Sequence, residues 1–268
     1  MRIIRYQDSR GAIHYASQQA DGSALKIQGE MFGAFDVTRD RAEVAKLLAP
    51  LVPSAIVCIG LNYRHHAEES KAPIPQNPVV FMKLPSSVQN PGDPIVLPRK
   101  LNSTEVDYEC ELAVVIGKSC KNVSKEQALE HVLGYTCAND VSARDWQIKW
   151  GGSQWCRGKT FDTFCPLGPC LTLKDEIPDP ARLKISTTLN GQTMQDWRCD
   201  DMIFDVPSVI AFLSASTTLT PGTVILTGTP HGVGFARKPP VYLQPGDNVT
   251  VEIDRIGALT NPVIAEVL

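Results

Sequence analysis

Val106-Asp107-Tyr108-Glu109-Cys110-Glu111-Leu112-Ala113-Val114-Val115-Ile116 decides how the chain is read. Its β-branched, apolar second half is the clearest strand signal in the sequence. A strand sends alternate side chains to opposite faces. Asp107, Glu109 and Glu111 are therefore predicted to share one face, and Tyr108, Cys110, Leu112 and Val114 the other. A solvated acidic face is the plain alternative, but it fits poorly, because the strand runs on into an apolar segment that belongs in a core. Carboxylates crowded at positions i and i+2 repel one another unless a cation neutralises them. The pattern points to a metal site. An all-carboxylate donor set suits Mg²⁺, with Mn²⁺ or Ca²⁺ as alternatives, rather than zinc.

Outward from this strand the signals are short and extended. Ala55–Ile59, Val79–Lys83, Ile95–Leu97, Gly134–Ala138, Ala181–Leu189, Thr223–Thr227 and Asn248–Ile253 read as strands, and Asn190-Gly191 as a hairpin turn. Helical readings are few: Arg39–Leu48 by spacing, Ser124–His131 with Ser124 and Gln127 as a capping box, and a helix from Asp205 to about Ser214. Many strands and few helices favour an α+β, mainly β fold over a doubly wound sheet. Arg2–Tyr6, Ile13–Ala16 and Ala24–Ile27 add strands before Pro50 and Pro53 break the chain. The expected division is a small N-terminal subdomain, residues 1–53, and a catalytic domain, residues 54–268.

The composition sets limits on partners. The chain has 268 residues, 43% of them hydrophobic, enough for a real core. Lys plus Arg is 26 and Asp plus Glu 29, a net charge of −3, so no basic excess draws it to nucleic acid or an anionic membrane. No apolar run approaches the ~20 residues of a membrane helix. The eight cysteines form no paired zinc spacing, and most are expected to be reduced and buried. Met1–Asp8 carries no apolar signal core and no Arg/Ser-rich transit pattern, so a cytoplasmic protein is expected.

A third carboxylate would complete the metal site. Asp140, in Ala138-Asn139-Asp140-Val141-Ser142-Ala143-Arg144-Asp145-Trp146-Gln147, follows a strand and precedes a helix-like run. Locally it reads equally as a ligand or an N-cap. Arg144 and Gln147, at i and i+3, would share a helical face, either to bind a carboxylate or to sit in solvent.

Four segments in order carry a recognisable pattern. They are Asp107–Val115, Asn139–Asp145, Gly158-Lys159-Thr160-Phe161-Asp162-Thr163-Phe164-Cys165-Pro166-Leu167-Gly168-Pro169, and Leu226-Thr227-Gly228-Thr229-Pro230-His231-Gly232-Val233-Gly234. Across about residues 55–268 the chain resembles the fumarylacetoacetate hydrolase family, and the 158–169 stretch resembles its domain-containing-protein subgroup. The resemblance implies a mixed β-sandwich roll, a homodimer, and one divalent cation held by Glu109, Glu111 and Asp140. Asp107 would stand behind these ligands. Lys159 matches the family's active-site lysine. Thr229, helped by Arg144 and Gln147, would contact the substrate carboxylate. Gly60-Leu61-Asn62-Tyr63-Arg64-His65-His66-Ala67-Glu68-Glu69 also matches, with His66 and Glu69 as an acid–base pair on a lid.

The resemblance also implies a 2-keto or β-dicarbonyl acid as substrate, with the cation stabilising an enolate. The resemblance of the 158–169 stretch to that subgroup makes keto–enol tautomerisation of oxaloacetate the favoured reaction. Hydrolysis of an acylpyruvate or fumarylpyruvate, or decarboxylation of oxaloacetate, is the alternative. A non-catalytic, metal-stabilised binding protein is the reading from another class.

Overall fold

The computed structural model describes all 268 residues. In chain order, β1 (Arg2–Gln7), β2 (Ile13–Gln18), β3 (Ala24–Gly29), β4 (Phe35–Arg41) and β5 (Lys46–Leu48) come first. β6 (Ala55–Gly60), α1 (Arg64–Glu69), β7 (Val79–Lys83), β8 (Val88–Gln89), β9 (Ile95–Leu97), β10 (Val106–Asp107) and β11 (Cys110–Ile116) follow. Then come β12 (Val132–Asn139), β13 (Ser142–Ala143), α2 (Cys156–Lys159), β14 (Cys165–Leu173), β15 (Lys184–Leu189) and β16 (Gln192–Arg198). α3 (Val206–Ser214), β17 (Thr223–Leu226), β18 (Asn248–Ile253) and β19 (Gly257–Ala265) complete the chain. The fold is mainly β, as expected.

One 12-stranded sheet runs in the order β4-β3-β2-β1-β14-β12-β11-β17-β6-β7, with β5 on β1 and β8 on β14. A 5-stranded sheet, β16-β15-β18-β19-β9, is the second large layer. β1 pairs antiparallel with β14, so the first five strands extend the main sheet rather than forming one of their own. β17 and β6 are parallel neighbours, which brings the ends of both strands to one place.

β11 lies inside this sheet and is buried along its whole length. Its alternation holds. Cys110, Leu112, Val114 and Ile116 join one core cluster together with Ile185, Val251 and Leu259 of the second sheet. Ala113 and Val115 join another with Ala138, Leu226 and Phe81. Glu111 is in phase with Ala113 and Val115, so it emerges at the end of the second core. The predicted single strand breaks at Tyr108–Glu109. Asp107 pairs with β13 instead, and Tyr108 packs in a third cluster with Val141 and Phe164.

Two helical readings fail. Arg39–Leu48 is divided between β4 and β5, which pair with β3 and β1; tertiary pairing overrides local spacing. Ser124–His131 forms turns and a 3₁₀ turn at Ala128–His131. One half of the expected capping box is made, Ser124 N–H donating to Gln127 Oε1 at 3.3 Å, but β12 begins at Val132 and leaves no room for a longer helix. The Asp205 reading holds: its side chain accepts from Ser208 N–H and caps α3. Asn190-Gly191 turns β15 into β16 as expected.

Candidate active site

The carboxylates meet at the edge of the second core. Glu109 precedes β11, Glu111 lies within it, and Asp140 follows β12, the antiparallel neighbour of β11. All three are buried, Glu111 and Asp140 at 1% exposure or less. Each offers one oxygen to a group whose ligand atoms lie within 4.8 Å of one another. Asp140 caps no helix; its two carboxylate oxygens accept from Lys83 and Lys159.

Three cations surround this group. Lys159, at the end of α2, donates to Glu109 Oε2 at 2.9 Å and Asp140 Oδ2 at 2.8 Å. Lys83, the last residue of β7, donates to Asp140 Oδ1 at 2.6 Å and to the Val141 carbonyl at 3.1 Å. Arg144 Nη1 lies 2.7 Å from Glu109 Oε1, and Nε donates to Asp107 Oδ2 at 2.9 Å. Burial pushes the Glu109 carboxyl up, but Lys159 and Arg144 outweigh it and hold it at about 2. Glu111 differs. Burial, with Asp140 and Glu109 beside it, drives its pKa well above the ordinary carboxylate range. Its one direct donor is the Gly228 N–H, at 2.7 Å.

Asp107 stands behind this set. It accepts from Gly234 N–H at 2.8 Å and Phe235 N–H at 3.0 Å as well as from Arg144. Burial raises its pKa against the pull of Arg144.

A cavity of about 270 Å³ opens onto the acids. Its polar wall includes Glu109, Glu111, Lys159, Arg144, Gln147, Thr229 and His66; Ile59, Phe81, Trp155 and Phe235 supply apolar wall. The structure therefore brings every predicted site residue except Asp140 and Glu69 to the cavity surface, and each of those two is bonded to a residue that lines it. Arg144 and Gln147 do meet, Nη1 donating to Gln147 Oε1 at 2.9 Å. They do so at the start of a π-helical turn, Asp145–Lys149, and the arginine faces the protein's own acids. The Gln147 amide NH₂ has no protein acceptor. Thr229 Oγ1 accepts from Gln195 Nε2 at 2.8 Å. His66 Nδ1 lies 3.1 Å from Glu69 Oε2, and Gly232 N–H donates to both Glu69 oxygens at 2.8 and 3.1 Å.

Two residues escaped sequence reasoning. Lys83 was legible in principle: in Val79-Val80-Phe81-Met82-Lys83 alternation puts it on the face of Phe81, an inward and apolar face that a lysine enters only with a partner. Gln195 left no signal. It sits in the exposed-looking run Gln192–Arg198, yet it is 1% exposed. It accepts from Cys110 N–H and Thr187 Oγ1 and donates to Thr229 and the Pro230 carbonyl, tying β11 and β15 to the Thr229 loop.

A family model described as fumarylacetoacetate (FAA) hydrolase C-terminal matches residues 55–264. The chain belongs to the fumarylacetoacetate hydrolase family. A Xenopus laevis member named oxaloacetate tautomerase fahd2, mitochondrial, is 53% identical over 219 residues, 81% of this chain and 68% of the relative. A Homo sapiens member named oxaloacetate tautomerase FAHD2A, mitochondrial, is 49% identical over 224 residues, 84% of this chain and 71% of the relative. The solved structure of a fumarylacetoacetate hydrolase from psychrophilic Exiguobacterium antarcticum superposes with a TM-score of 0.89 at 37% identity, covering 99% of this chain and 100% of that one. With them, this chain is an enzyme of the family's isomerase and hydrolase kind. The expected cytoplasmic location is overturned, since both curated relatives are mitochondrial by name.

Proposed function

We propose that the protein is a divalent-metal-dependent oxaloacetate keto–enol tautomerase. The observation that carries this reading is the buried Glu109–Glu111–Asp140 cluster, two of whose members line a small cavity. The donor set fits a hard cation. Glu111 is buried with no ammonium or guanidinium partner, which a protein rarely tolerates without a compensating charge. Around the cavity, Asp107, Glu109, Glu111 and Asp140 face Lys83, Arg144 and Lys159, a formal charge of −1. A divalent cation turns it to +1, suited to an anionic keto acid.

Glu109, Glu111 and Asp140 would hold the ion, with Mg²⁺ the first choice. When bound it supplies positive charge against the oxyanion that develops as a proton leaves carbon. Lys159 adds a second cation on the same side of the cavity. Thr229, with its hydroxyl fixed by Gln195, and Gln147, with its free amide NH₂, bind the substrate carboxylate, and Arg144 orients Gln147. Glu69 fixes the His66 ring through Nδ1 and leaves Nε2 to exchange a proton. The apolar wall of Ile59, Phe81, Trp155 and Phe235 keeps competing water away.

C–C hydrolysis or decarboxylation is the second reading, and the ready-made His66–Glu69 contact favours it. The deciding experiment offers enol-oxaloacetate and acylpyruvates to the purified protein with Mg²⁺. Faster decay of enol absorbance without release of CO₂ or acid supports tautomerisation; pyruvate formation supports the second reading. His66→Ala is expected to suppress C–C hydrolysis far more than tautomerisation, because hydrolysis alone needs a base that activates an attacking water. Equal losses in both reactions would count against that division.

The protein is further proposed to act as a homodimer. β7 ends the main sheet and leaves Val80, Met82 and Leu84 exposed, and gel filtration with light scattering reads the mass directly. The division at residues 53 and 54 is likewise proposed; the start of the family match at residue 55 supports it.

A further inference from the structure

The helix that carries His66 and Glu69 does not hold itself in place. α1 has six residues and no side-chain cap at its start. So short a helix has little stability of its own. Its C-terminal end is fastened by Glu69, through the Gly232 N–H.

Its start is fastened by a distant turn, residues 199–204. Just before α1, Asn62 Nδ2 donates to the Phe204 carbonyl at 3.0 Å, and Phe204 N–H donates back to Asn62 Oδ1 at 2.8 Å. Ile203 N–H donates to the Asn62 carbonyl at 2.7 Å, and Tyr63 bridges Met202. Within the first turn of α1 itself, the attachment is Asp201. Its Oδ2 accepts from His65 N–H at 3.1 Å, and its Oδ1 lies 2.9 Å from His65 Nδ1. The ring is also wedged against Trp197, with centroids 4.7 Å apart. An N-cap aspartate satisfies a free amide in this way from within its own helix. Here the carboxylate comes from 136 residues further along the chain.

We propose that Asp201 is a positioning residue for the His66–Glu69 pair. By capping α1 from another part of the fold, it sets the angle at which the His66 ring faces Glu109 and Lys159 across the cavity. Asp201 touches neither substrate nor cation and acts through the helix alone. The proposal rests on the reading of His66 and Glu69 as the acid–base pair.

Asp201→Ala and Asp201→Asn in the full chain test it, with His66→Ala in parallel. In Asp201→Ala, the amides of residues 64–69 should exchange hydrogen about fivefold faster or more, the factor that loss of a typical cap implies. For the keto-acid reaction that His66→Ala impairs most, kcat should fall by a similar factor while KM changes little. Asn keeps an acceptor for the His65 amide and an NH₂ for the ring, so Asp201→Asn should recover most of both losses. The melting temperature should stay near wild type, since the Asn62 contacts remain. Unchanged exchange in Asp201→Ala, a loss confined to KM, or equal damage in the Asn variant would overturn the proposal. If His66→Ala impaired no reaction, the acid–base reading would fall, and the exchange data would still decide whether Asp201 caps α1.

Discussion

Glu111 is the residue on which the site turns. Its neighbours Glu109 and Asp140 each have a cation in contact, and it has a backbone N–H alone. Glu111→Gln should therefore act in opposite directions on binding and on stability. Mg²⁺ affinity measured by calorimetry should fall by more than the roughly 10–100-fold that loss of an outer partner causes. In chelator-treated protein the melting temperature should rise, because an amide can accept from Gly228 without a buried, repelled charge. Unchanged Mg²⁺ binding would remove Glu111 from the ligand set. The pairing of Glu109 with Glu111 was legible from strand alternation alone. Asp140 was not, because a cap and a ligand look alike until the lysines that reach it are known, and one of those, Lys83, lies on a strand whose partners are distant in sequence.

At the scale of elements, alternation along β11 was the most reliable guide, and it failed where the chain leaves the strand, with Asp107 meeting Arg144 and the Gly234 loop and Tyr108 entering the third core cluster. Local helix signals failed in Arg39–Leu48, where strands claimed the same residues, and in Ser124–His131, where β12 follows at once and leaves only turns. The end of β6 shows a closeness that no pattern announces. A Cβ built on Gly60 would stand 2.1 Å from Cζ3 of Trp155, and the Trp155 ring is itself packed edge-on against Phe81, centroids 5.7 Å apart. Gly60→Ala should cost about 1–3 kcal/mol, as overpacking does, and should shift tryptophan emission as the cavity wall moves. Urea denaturation followed by fluorescence measures both effects together. A variant with wild-type stability and spectrum would show that the ring has room to retreat.

Across the whole molecule, the expectation of reduced cysteines fits the structure: all eight are free, seven are buried, and Cys156 alone is partly accessible. A thiol reagent should titrate about one group per chain under native conditions and eight after unfolding. Burial raises the thiol pKa at Cys110, Cys165 and Cys199, which slows their reaction further, since the thiolate is the nucleophile. More than one fast-reacting thiol would mean that the sheet opens more readily than its packing implies.

The separation of the site into two supports has a consequence for how such a protein changes over generations. The acids and lysines stand on β7, β11 and α2 or directly beside β11 and β12, inside the packed interior. His66 and Glu69 stand on a six-residue helix fastened at its ends. On the proposed reading, a lineage can rewrite the proton-handling half by altering residues 64–70 and their two anchor points, while the charge-holding half stays under the constraint of the core. Reaction type then becomes an exchangeable trait and cation binding an inherited one, so relatives with almost superimposable interiors can diverge in what they do to the same kind of acid.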